Sequence, residues 1–81
     1  MAGFDTHLLL LTMEECGELV RACSKAYRHD FDEKTRRNLS EEIADVEVMI
    51  NLLKETGIAD EEIITNKKKA KYEKYYGKEN S

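Results

Sequence analysis

The sequence predicts an all-α fold, a three-helix protomer that contributes to a dimeric or tetrameric helical bundle. Three observations predict it. Apolar residues recur at helical spacing through most of the chain, and no stretch alternates well enough to make a strand. Proline is absent, so nothing forces the helices to break. At 81 residues the chain is one domain, 1–81, whose own core is marginal, and oligomerisation is the remaining route to stability.

The first helix is expected over about 5–28, starting at Asp5 or Thr6 and ending at Tyr27 or Arg28. His29 to Arg37 has mixed polarity and no sustained apolar period, which reads as a loop or a short helical turn. Asn38 then caps a second helix, about 39–56, with Glu41 in the capping-box position; Ser40 is a rival cap. Gly57 follows as the residue that ends it. Asp60 caps a third helix, about 61–75, with acids in its first turn and lysines in its last. The last residues are expected to fray.

Charge and composition exclude several classes. A net charge of −4 argues against binding to a nucleic-acid polymer. Met1 to His7 lacks a basic leader, and Leu8–Leu11 falls far short of the roughly 20 apolar residues that span a bilayer. A cytoplasmic location without membrane contact is the expectation. Cys16 and Cys23 lie about 10.5 Å apart along a helix, too far for a bridge, and read as buried or half-buried thiols. The acidity is uneven, since Lys67 to Lys78 holds six lysines and one glutamate.

Four carboxylates sit where apolar residues belong. With Glu15 as the reference direction of helix 1, Leu8, Leu11, Leu19, Ala22 and Ala26 fall within roughly 40° of it, and Glu18 lies about 60° away. On helix 2, Met49, Leu52, Val48 and Glu42 fall within roughly 60° of Asp45. Acids spaced i, i+3 share a helix face. Two such pairs on facing helices gather four carboxylates whose mutual repulsion and desolvation are relieved by protonation or by divalent cations. Hard oxygen donors without His or Cys select Mg²⁺, with Mn²⁺ as a substitute.

Glu14-Glu15-Cys16-Gly17-Glu18, followed after 23 residues by Glu42-Ile43-Ala44-Asp45, resembles the EExxE…ExxD signature of MazG-like proteins of the all-α NTP pyrophosphatase superfamily. The resemblance covers roughly Leu8 to Tyr76. It implies Mg²⁺-dependent hydrolysis of a nucleoside triphosphate to the monophosphate and pyrophosphate by a homo-oligomer with sites at subunit contacts. Carried over, Glu15, Glu18, Glu42 and Asp45 are the metal ligands. Glu14, Glu15 and Glu18 are the candidates for taking a proton from the attacking water, and no one of them is singled out.

Lys67, Lys71 and Lys74 share a face of helix 3 with Ile63, Ile64 and Ala70, and are expected to point inward as phosphate contacts. Phe4, His7 and Leu11 precede the acidic motif on helix 1 and are the candidates for a base pocket. Two other readings compete: a phosphoribosyl-ATP pyrophosphohydrolase of the same superfamily, and a non-catalytic helical interaction module. A di-iron bundle needs Glu-x-x-His pairs, and the sequence has none.

Overall fold

The computed structural model describes residues 6–77. It consists of α1, Thr6–Arg28, α2, Glu33–Glu55, and α3, Glu61–Tyr76, with no strand among the described residues. None of these helices is long and apolar enough to cross a membrane. The C-terminal residues expected to fray lie outside the described range.

α1 and α2 are joined by four residues and pack against each other as a helical hairpin. The turn carries no glycine. Asp30 and Phe31 both adopt the left-handed region, at φ 56°, and the Phe31 N–H donates to the Ala26 carbonyl at 2.8 Å. Asp tolerates that conformation, whereas a bulky Phe adopts it uncommonly. A tight turn built from these residues leaves no turn signature in the sequence.

For the same reason α2 starts six residues earlier than expected. Its cap is Asp32, not Asn38 or Ser40. The Asp32 carboxylate accepts from the Thr35 N–H and from the Thr35 hydroxyl, each at 2.8 Å. The first two turns of α2 are polar, so hydrophobic periodicity begins only at Leu39 and hides the true start. The hydrogen bonds from Thr35 hold the Asp32 carboxyl below its ordinary value of 3.8. Its contribution to stability is therefore complete above that value and is lost as pH falls through the lower, folded-state value. Asp32→Ala is expected to lower the melting temperature by about 5 °C near neutral pH. The difference from wild type should shrink on acidification below pH 3.8. Thermal melts followed by circular dichroism across pH 2–7 check this, and a pH-independent difference would refute it.

The other ends behave as expected. Gly57 takes φ 80° after α2, and its N–H donates to the Lys54 carbonyl. Asp60 caps α3 by accepting from the N–H groups of Glu62 and Ile63.

The core is small. Leu8, Ala22, Ala26 and Val46 are its buried apolar residues, with Thr35 beside them in burial. The packed face of α1 is the expected one, since Leu11, Glu15 and Leu19 are half-buried along with the buried Leu8, Ala22 and Ala26. On α2 the packed face is rotated by roughly 70° from the expected direction. It runs through Thr35, Leu39, Glu42, Val46 and Leu53, which leaves Val48 exposed and Asp45 at the edge. Cys16 and Cys23 are exposed rather than buried, because both lie roughly 80–100° from the Glu15 direction, off the packed face.

α3 contributes no buried residue. The molecule measures 45 × 38 × 14 Å, with a radius of gyration of 15.7 Å. A compact chain of this length has a radius near 12 Å. The described chain is thus a two-helix hairpin with α3 splayed from it rather than packed on it.

Candidate metal centre

Glu15 projects from the packed face of α1, and Glu42 from that of α2, one turn before Asp45 at the groove's edge. Each of the three offers a carboxylate oxygen that lies within 4.8 Å of the others. Glu15 and Glu42 are half-buried and Asp45 is exposed. The hairpin brings them together because α1 and α2 run antiparallel, which sets the middle of one helix against the middle of the other.

The electrostatics follow from that geometry. Desolvation pushes the Glu15 carboxyl above its ordinary value of 4.5, and the charges of Asp45, Glu42 and Glu18 push it further in the same direction. A hydrogen bond between Glu15 and Asp45 adds to the shift. Like charges this close are relieved when the cluster retains a proton. A divalent cation meets the same need. The donor set is carboxylate alone, which suits a hard ion such as Mg²⁺ or Mn²⁺, and three protein ligands leave positions for water and phosphate oxygens.

The fourth expected ligand stands apart. Glu18 is exposed and pairs with Arg21, one turn on, at 3.6 Å. It lies outside the group of three, yet close enough for its charge to act on Glu15. A carboxylate at the edge of a like-charged cluster lowers its energy by turning to a nearby cation, which periodicity alone does not reveal. Glu14 is exposed on the flank of α1, and Gly17 has open space where a side chain would be.

The expected phosphate contacts do not point inward. Lys67, Lys71 and Lys74 are exposed on a helix that buries nothing. The Lys71 and Lys74 ammonium groups lie 5.3 and 5.8 Å from the centre of the Tyr75 ring. Their shared face exists, but α3 does not fold back over the hairpin, so it meets no core. Of the expected base pocket, Leu11 is half-buried on the face that carries Glu15, His7 is exposed, and Phe4 lies outside the described residues.

The sequence reading missed a set of cations. With 29–37 read as a connection, Lys34 and Arg37 were not placed on the helix that bears Glu42 and Asp45. The Asp-x-x-Thr cap at Asp32 and Thr35 is the signal that would have placed them.

Comparison of the chain with protein-family models, with curated proteins and with solved structures finds no match.

Proposed function

We propose that the chain is a Mg²⁺-dependent pyrophosphohydrolase that cleaves a nucleoside triphosphate between its α and β phosphates. The observation that carries this reading is the meeting of Glu15, Glu42 and Asp45 at one point from two helices. These are positions at which the sequence resembles the metal-binding motif of MazG-like proteins.

In this reading Glu15, Glu42 and Asp45 would hold the ion, with Glu18 as a further donor from the edge of the cluster. A Mg²⁺ ion held there would neutralise the carboxylates, polarise the phosphates and lower the pKa of a coordinated water. Glu15 is one candidate to accept a proton from the attacking water. Glu14 and Glu18 remain candidates for the same role.

The working form in this proposal is a homo-oligomer. Leu10, Met13, Gly17, Val20, Ser24 and Tyr27 follow one another at alternating spacings of three and four, the pattern of a helix-packing seam. They lie on the side of α1 away from α2, and the four large residues are between 55% and 80% exposed. A second copy seated on that seam would supply apolar contact that the small core of the single chain lacks. Gly17 and Ser24 then allow close approach of the helices.

The test is release of pyrophosphate by the full chain, with Mg²⁺, from each nucleoside triphosphate, each deoxynucleoside triphosphate and phosphoribosyl-ATP. Pyrophosphate and a nucleoside monophosphate are expected from at least one of the triphosphates, and none in the presence of EDTA. Hydrolysis of phosphoribosyl-ATP alone favours the biosynthetic alternative. Absence of hydrolysis from all of them leaves an interaction module.

A further inference from the structure

The outward seam of α1 is ordered by residue size and carries charge on one flank only. Leu10, Met13, Val20 and Tyr27 are its large members, and Gly17 and Ser24 its small ones. A glycine in the middle of a helix costs stability relative to alanine. Nothing within the described chain calls for it here, because a Cβ at Gly17 would meet no atom within 4 Å. The room it leaves is on the outside, where a second helix can approach the backbone closely. The flanks differ. Exposed Glu14 and Arg21 lie on one side of the seam and exposed Cys16 and Cys23 on the other, each roughly 70–90° around the helix from the seam's direction.

A second α1 can lie along this seam in two directions. Laid parallel, each residue meets its own counterpart. Gly17 falls on the partner's Gly17 and Ser24 on the partner's Ser24, which leaves gaps at both layers. The charged flank then faces the cysteine flank, so neither Glu14 nor Arg21 meets an opposite charge. Laid antiparallel about a two-fold axis at the middle of the seam, small meets large. Gly17 receives the partner's Val20, Ser24 receives the partner's Met13, and Leu10 packs on the partner's Tyr27. Like flanks now face each other. Glu14 stands opposite the partner's Arg21, and the two-fold axis repeats the pair. Arg21 also reaches Glu18 of its own chain at 3.6 Å, and a guanidinium has donors for both. Cys16 stands opposite the partner's Cys23, about 3 Å away along the axis. An exposed ion pair adds little affinity but selects orientation. We infer that two copies of the chain associate through α1 in this antiparallel register. The register rests on the homo-oligomer reading of the seam and gives it a direction and a set of facing residues.

Cross-linking of the full chain tests the register. Dibromobimane joins two nearby thiols, each displacing one bromide, and is applied to the reduced protein at concentrations where sedimentation velocity shows an oligomer. Wild type is expected to form covalent dimers whose linked peptides carry Cys16 on one side and Cys23 on the other. Cys16→Ser and Cys23→Ser change exposed side chains, should keep the wild-type helical content, and should each abolish the covalent dimer. An equal mixture of the two variants, allowed to exchange subunits, should regain about half the wild-type yield, because half of its dimers set one Cys16 opposite one Cys23. Independently, Glu14→Arg should weaken association about tenfold, and adding Arg21→Glu should restore it. Covalent dimers formed by a single variant as readily as by wild type, through like cysteines, overturn the register. So does an oligomer that yields no covalent dimer. Those two results leave the homo-oligomer reading standing, whereas a wild type that sediments as a single chain at all concentrations overturns both.

Discussion

Glu15→Gln and Asp45→Asn are each expected to lower kcat for pyrophosphate release by about a hundred- to a thousandfold, the range seen when a charged or ligating group is withdrawn from a reacting centre. Both substitutions keep the size of the side chain and remove its charge, so the helices should persist. The two proteins should also part from wild type in stability. Burial and three neighbouring acids hold the Glu15 carboxyl above its ordinary value, so ionising it at neutral pH disfavours the fold. A group of this kind contributes stability below its unfolded value that is lost as pH rises through the higher, folded-state value. Without divalent ions, Glu15→Gln should therefore melt above wild type at pH 7. With Mg²⁺ the order should reverse, because binding to the folded state stabilises wild type in proportion to the logarithm of ligand over dissociation constant. Melting curves with EDTA and with a magnesium titration check the crossing. A wild type whose melting temperature ignores magnesium, or a Glu15→Gln protein with full activity, would remove the cluster from the chemistry.

Val20→Glu is expected to dissociate the proposed homo-oligomer. Val20 lies at the centre of the outward seam of α1 and is 68% exposed in the single chain. Covered by a second copy, a valine contributes about 1.5–3 kcal/mol, and an unpaired carboxylate in its place opposes association by more than that. The change should extend beyond assembly. Among the described residues the buried apolar ones are Leu8, Ala22, Ala26 and Val46, two of them alanines. With so little core, the separated chain should lose much of its helix at low micromolar concentration. Sedimentation velocity and circular dichroism over a concentration series test both effects. Ser40→Glu is the control: it adds the same charge at an exposed α2 position away from the seam and should leave assembly unchanged. A wild-type protein that sediments as a single chain at all concentrations would sink the proposal.

Much of the local structure was legible because it depends on neighbours within a turn or two. Asp60 and Gly57 mark an end through hydrogen bonds to residues at most four positions away. The packed face of α1 was legible because its leucines and alanines leave one dominant direction. The start of α2 was not, since Asp32 caps two polar turns that carry no apolar period. The site was legible in part. Helical spacing put Glu15 and Glu18 on one side of α1, yet only Glu15 turns to Glu42 and Asp45, while Glu18 turns to Arg21.

What the sequence by itself determined is therefore the all-α class, three helices, their ends apart from the start of α2, and a pairing of acids at i, i+3 on each helix of the hairpin. The tertiary structure decided how α2 is rotated about its axis, which three acids meet, and that α3 stays off the hairpin. The reason is physical. Periodicity fixes a helix's rotation only when its apolar residues lie on one side, and α2 carries exposed Ile43, Val48 and Ile50 around its circumference. Such a helix has more than one face that packing could accept, and only the partner it meets selects among them. The same holds for the acids: spacing places two carboxylates on a face, but the neighbouring helix decides whether they meet other carboxylates or a cation.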